Sequence, residues 1–143
     1  MVVKQLSVFV ENKLGRLTEI TSALSENQID IRALSIADTT SFGILRLIVN
    51  DPDRAEKTLR EAGFTVSQTE VLAVGIQDVP GGLAKAMKVL SSAEIPVEYM
   101  YAFISRDIKS AYVILRVENN KQAAEILAAN GLSLLSTEQV YGV

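Results

Sequence analysis

Leu6-Ser7-Val8 can be laid on Leu72-Ala73-Val74, and the same offset of 66 residues carries Gly15 onto Gly81 and Leu17 onto Leu83. Leu24-Ser25 then falls on Leu90-Ser91, and Ile29 on Ile95. Past the middle of each half the offset grows to 68: Val49 meets Val117, Ala55 meets Ala123, Leu59 meets Leu127 and Gly63 meets Gly131. The two extra residues are expected near Ser105–Ser110, where a turn can absorb them. A chain of 143 residues built this way is a tandem duplication, and one fold must serve both halves. The expected domains are residues 1–69 and 70–143. No linker separates them, since Ser67-Gln68-Thr69-Glu70 is polar but short and Val71 already starts the next apolar run.

Each half has the same internal order. Leu6, Val8 and Val10 alternate with Ser7, Phe9 and Glu11, which is strand periodicity. A helix follows with Leu17, Ile20 and Leu24 on one face; its twin carries Leu83, Ala86, Met87 and Leu90. Residues 30–38 and 42–50 read as two strands joined by Thr39-Thr40-Ser41. Asp51-Pro52-Asp53 opens a second helix, with Pro52 in the first turn, where a missing N–H costs nothing. Ala55, Leu59 and Ala62 should face inward. Gly63 should end the helix, because glycine accepts a left-handed conformation. A last strand, from Phe64 to about Glu70, runs almost straight into the first strand of the second half.

The predicted class is α+β: two ferredoxin-like βαββαβ modules in tandem, each an antiparallel sheet with its helices on one face. The other face should be polar in a module that lives alone. Instead Phe9, Ile44, Ile48, Tyr112 and Ile114 have strand parity opposite to the inward set Val8, Leu45, Leu47, Val113 and Leu115. An apolar outer face calls for a cover, and a half of this size is marginal by itself. The halves are therefore expected to pack together, and the pair to form a homodimer or higher homo-oligomer.

Composition excludes several chemistries. With no cysteine there is no disulfide, thiolate nucleophile or zinc-thiolate site. With no histidine, the commonest general base and transition-metal ligand is missing. A net charge of −3 speaks against nucleic acid as a partner. No apolar run is long enough to span a membrane, and Met1-Val2-Val3-Lys4 passes directly into a charged segment unlike a signal peptide. The expectation is a cytoplasmic protein with no metal and no cofactor. Gly-x-Gly-x-x-Gly, the phosphate-binding loop and the Gly-x-Ser-x-Gly elbow are all absent. Glu19, Glu26, Glu56, Glu61 and Glu125 fall on expected helix surfaces, and Lys85 and Lys88 form an exposed basic edge. No acid–base pair beside a nucleophile can be assembled, so the chain is not expected to be an enzyme.

The motif that carries chemistry is the strand-to-helix turn Asp78-Val79-Pro80-Gly81-Gly82-Leu83, with a fainter copy at Asn12-Lys13-Leu14-Gly15-Arg16-Leu17. N–H groups at a helix start lack intrahelical partners, and a ligand carboxylate can dock there. The alternative is that the glycines simply close a compact turn. A helix terminus supplies at most about 2 kcal/mol to an anion, whereas micromolar binding needs about 8 kcal/mol. The turn can therefore be only part of a site. Tyr99, Met100, Tyr101 and Phe103 form the most aromatic stretch, with Tyr99, Tyr101 and Phe103 on one face, as an interface filler or as a wall for a ligand side chain.

The βαββαβ repeat, the Asp-x-Pro-Gly turn, the helix 83–90 and the exit Ala93-Glu94-Ile95-Pro96-Val97 together resemble an ACT domain. Asn12–Leu17 and Asn27-Gln28-Ile29-Asp30-Ile31 make the first half resemble one too, so the resemblance covers essentially the whole chain. It implies regulatory binding of a free amino acid where two domains meet, with the effect passed on through domain or subunit packing. It implies ligand contacts from Asn12, Leu14, Gly15, Arg16 and Leu17 in one turn and from Asp78, Pro80, Gly81, Gly82 and Leu83 in the other. The opposing walls would be Asp30-Ile31 and Pro96-Val97 of a neighbouring domain. Asn12 and Asp78 offer oxygen acceptors to an ammonium group. The first turn departs from the pattern at Leu14 and Arg16; Arg16 could hold a carboxylate, block the mouth or lie in solvent. Unequal sites are expected, the second turn being the more typical. Two further readings stay open: a regulatory small subunit with a separate enzyme partner of amino-acid metabolism, and a purely structural assembly module.

Overall fold

The computed structural model describes residues 2–39, 41–103 and 110–141. They form two compact units. One runs from Lys4 to Thr69; the other starts at Glu70 and also takes in Val2 and Val3.

In the first unit, β1 (Val3–Glu11) leads to α1 (Arg16–Glu26), β2 (Ile31–Asp38), β3 (Phe42–Val49), α2 (Pro52–Glu61) and the start of β4 (Thr65–Gln77). The strands lie in the order β2-β3-β1-β4, and β3 is antiparallel to both β1 and β2. In the second unit, the rest of β4 is followed by α3 (Gly82–Ser92), β5 (Tyr99–Phe103), β6 (Ser110–Arg116), α4 (Asn120–Ala129), β7 (Ser133–Leu134) and α5 (Thr137–Tyr141). Here β6 is antiparallel to both β4 and β5, while β7 pairs with β4. The run expected as two abutting strands is thus a single strand of 13 residues.

The pairings repeat. Leu6, Val8 and Phe9 of β1 face Leu47, Leu45 and Ile44 of β3. Leu72, Val74 and Gly75 of β4 face Leu115, Val113 and Tyr112 of β6 in the same way. Glu11 opposite Phe42 becomes Gln77 opposite Ser110, so the longer offset is already in force at Ser110. The expected place of the two extra residues falls largely on 104–109, outside the described residues, as does Thr40 of the expected β2–β3 turn.

Side chains alternate across a strand, so one face of each sheet meets the helices. Val8, Leu45 and Leu47 pack with Ile20, Leu24, Ala55 and Leu59. Val74, Val113 and Leu115 pack with Ala86, Leu90, Ala123 and Leu127. Gly63 (φ +95°) and Gly131 (φ +80°) follow α2 and α4 in the left-handed conformation, and the Gly63 N–H closes on the Arg60 carbonyl at 3.0 Å.

Four expectations are corrected. Leu17 is 45% exposed, because the buried face of α1 begins a turn later at Ile20. Ala62 is exposed, since α2 has ended and it serves as the C-cap. The outer-face residues have the expected parity, but Ile48 and Ile114 are fully buried within the single chain, while Phe9 and Phe42 are half exposed. The second module does not end on a full strand: β7 has two residues, and a short helix, α5, follows with Val140 buried. Among the described residues no helix is long and apolar enough to cross a membrane.

Candidate functional site

The four long helices that follow strands start in two ways. α2 and α4 are capped by side chains: Asp51 Oδ1 accepts the Arg54 N–H at 3.2 Å, and Asn119 Oδ1 accepts the Gln122 N–H at 3.0 Å. α1 and α3 begin on Gly15 (φ +88°) and Gly81 (φ +90°), with no side-chain cap. Both turns close by the same pair of bonds. Lys13 N–H donates to Glu11 O at 2.8 Å and Arg16 N–H to Lys13 O at 3.3 Å; Val79 N–H donates to Gln77 O at 2.9 Å and Gly82 N–H to Val79 O at 3.0 Å. The N–H groups of the next two residues, Leu17 and Thr18 or Leu83 and Ala84, have no acceptor inside their helix, as at any helix start.

The glycines have different reasons. Gly15 and Gly81 supply the positive φ, with open space where a Cβ would stand. Gly82 is required by close approach, because a Cβ there would collide with the Gln77 carbonyl oxygen. The compact-turn reading therefore holds for Gly82, and it leaves the mouth of the turn bare.

That bare mouth opens on a cavity of ≈590 Å³ whose wall includes Gln77, Pro80, Gly81, Gly82, Lys85, Tyr112, Ser133 and Gln139. The Tyr112 ring lies over Gly75, 3.4 Å from the place of a Cβ there. Gln139 fixes the start of α5, its Oε1 accepting the Ser136 N–H at 2.8 Å and its own N–H donating to Ser136 Oγ at 3.2 Å. The same place in the first unit is a cavity of only ≈230 Å³, lined by Phe9, Glu11, Arg16, Glu19, Phe42 and Phe64 among others. The register makes the two walls equivalent, position by position. Phe9 stands for Gly75, Glu11 for Gln77, Arg16 for Gly82, Glu19 for Lys85 and Phe42 for Ser110. Arg16 spends its guanidinium on Glu19, Nη1 to Oε2 at 3.1 Å. Lys13, 2.9 Å from Glu11 Oε2, donates a hydrogen bond that, with its charge, holds the Glu11 carboxyl below its ordinary pKa. Small-molecule sites are about 300–1,000 Å³, so the second cavity falls within that range and the first below it.

The residues expected at the site are only partly brought together. Pro80, Gly81 and Gly82 line the second cavity; Asp78 does not, and Leu83 packs on the core. Leu14 is fully exposed. Asp30 and Ile31 line a separate cavity from Arg16, and Pro96 and Val97 a separate one from Gly81. Within each unit the turn and the start of the second strand are thus apart. Tyr99 and Tyr101 stack on one face of β5, ring centroids 6.5 Å apart; the side chain of Phe103 lies outside the described residues. A larger cavity, ≈890 Å³, carries Glu70, Glu94, Glu118 and Glu125 against a single Lys121. Its carboxylates would repel that of an amino acid, so it is the poorer candidate. Sequence reasoning missed Tyr112, Gln139 and the place on the cavity wall of Lys85, which is exposed as expected. The signal was available for one of them, as a charge reversal between Glu19 and Lys85 in the aligned halves.

No curated protein sequence matches the chain. Among solved structures, a protein of Bacteroides thetaiotaomicron is 43% identical, with a TM-score of 0.94 over 100% of this chain and 98% of that one. The regulatory subunit of aspartate kinase from Thermus thermophilus shares the fold at 16% identity, with a TM-score of 0.67 over 90% and 92% of the two chains. Its counterpart from Thermus flavus does so at 15% identity and a TM-score of 0.61, over 88% and 90%. The family model for an ACT domain pair matches residues 1–143, and the chain belongs to that family, with its two ferredoxin-like modules as the pair.

Proposed function

We propose that the chain is a regulatory protein that binds a free amino acid, with the ligand carboxylate at the uncapped start of α3 and the remainder in the adjoining cavity. The observation that carries this reading is the ≈590 Å³ cavity opening on a helix start that no side chain caps. The first turn, whose cavity is small and whose Arg16 is paired with Glu19, is the weaker of the two sites. On this reading the domain boundary falls between Thr69 and Glu70. Binding acts on packing: a ligand that prefers one arrangement of domains or subunits shifts the population toward it, by no more than its differential affinity. The exposed Leu34, Ile36 and Phe42 support self-association through the first module. A clean monomer by light scattering at micromolar concentration would remove that part.

The test is a thermal-shift panel of the twenty amino acids on the wild type and on Ser110→Phe, which copies Phe42 into the open cavity. A ligand at 100 times its dissociation constant adds about 2.7 kcal/mol, and Ser110→Phe should abolish the gain. No shift with any amino acid would favour the purely structural reading. A second reading, a regulatory small subunit of a separate enzyme, draws on what the Thermus thermophilus protein is named for. Stoichiometric recovery of an enzyme in a pull-down would support it.

A further inference from the structure

We infer that the cavity at the start of α3 selects an acidic amino acid, whose second carboxylate is held by Lys85; this rests on the amino-acid reading above and names the ligand class. Among the described residues the cavity wall carries one ammonium group, Lys85, and no carboxylate. The equivalent wall in the first module carries Glu11, Arg16 and Glu19.

That first module acts as an internal reference. Position 85 corresponds to position 19, and the Glu19 carboxylate meets the Arg16 guanidinium at 3.1 Å. A side chain at this helix position therefore reaches back to the helix start, as residues three apart on a helix do. In the second module the sign is reversed and the partner is deleted. A cation stands at 85, and its neighbour three residues back is Gly82, which has no side chain and where a Cβ would meet the Gln77 carbonyl oxygen. Among the described residues Lys85 makes no ion pair. The slot that the first module fills with a charge pair is thus half built in the second, and a ligand carboxylate completes it.

The second anion-binding group is the helix start itself, where the Leu83 and Ala84 N–H groups point outward from the first turn. Lys85 stands in the first turn of α3 and lines the same cavity as Gly81 and Gly82, so one cavity offers a dicarboxylic amino acid both a helix start and a cation. Ligand ammonium has neutral acceptors nearby in the Tyr112 and Ser133 hydroxyls and the second lone pair of the Gln77 carbonyl. A basic amino acid would instead place a second cation beside Lys85.

Isothermal titration of the full chain with aspartate, asparagine, glutamate, glutamine and lysine decides it, because each acid and its amide differ in charge and hardly in shape. The acids should bind about tenfold more tightly than their amides, the scale of one charge-assisted hydrogen bond, with lysine weakest. Lys85→Met should bring the acid-to-amide ratio to about one. Lys88→Met, the same change on the same helix but off the cavity wall, should leave it unchanged. Equal affinity for acid and amide, or a preference that survives Lys85→Met, overturns the inference and leaves amino-acid binding standing. If none of the five binds but a neutral amino acid from the full set does, the ligand class is wrong. If no amino acid binds, the amino-acid reading falls as well.

Discussion

Phe9, Arg16, Glu19 and Phe42 of the first module stand where the second has Gly75, Gly82, Lys85 and Ser110. Both modules share an alternating strand, a turn closed by two hydrogen bonds, a glycine at positive φ and an uncapped helix, although the chain leaves room for a Cβ at Arg16 and none at Gly82. The contents differ. One module fills the space with aromatic rings and an ion pair, and the other leaves ≈590 Å³ beside the Lys85 ammonium group. The difference teaches that the turn is a scaffold element present in both copies, while the capacity to bind is a property of four or five wall positions around it.

The largest test of this contrast is steric. Gly82→Ala should cost about 3 kcal/mol, the upper range for overpacking, because the new Cβ meets the Gln77 carbonyl. Arg16→Ala at the equivalent position should cost less than about 1 kcal/mol, since it removes a half-exposed ion pair. Urea denaturation of both variants gives the ratio, and similar losses would show that the two turns pack alike. Next come Gly15→Ala and Gly81→Ala. Each places a side chain at positive φ with room for it, so each should cost about 1–2 kcal/mol. Unequal costs would break the claim that the turn backbones are interchangeable.

A smaller effect sharpens the difference between the two kinds of helix start. Asp51→Ala and Asn119→Ala remove equivalent caps and should each lower stability by about 1 kcal/mol, leaving any ligand affinity of the α3 cavity untouched. The smallest effect is a pH dependence confined to the first module. The hydrogen bond and charge of Lys13 hold Glu11 below its ordinary value of 4.5. A depressed folded-state pKa contributes stability above 4.5 and loses it as the pH falls through the lower folded value. Lys13→Met should move the Glu11 titration, followed by NMR, up toward 4.5. The second module has Gln77 there and no such step.

Much of this was legible from local pattern. Strand alternation at Leu6–Val10, the helical spacing of Ile20 and Leu24, the start at Asp51-Pro52 and the stop at Gly63 each report a neighbour within a few residues, and the duplication checks every one of them twice. The cavity was not legible, because its wall joins residues brought together only by register: Gly75 beside both Tyr112 and Ser133 on neighbouring strands. α5 was missed for a related reason. Five residues started by a Ser136–Gln139 exchange hold too little periodicity to stand out. Leu17 was misplaced because helical phase says which side a residue is on and not where along the helix the cover begins.

Gly82 has a consequence for how such a duplicated chain can change over time. At position 16 the turn tolerates arginine, so drift there can fill a binding space without harming the fold. At position 82 a Cβ would strike the Gln77 carbonyl, so a side chain there costs stability, whatever the chain binds. Stability alone thus favours an open second mouth, and the less costly way to close the cavity runs through its wall rather than its turn.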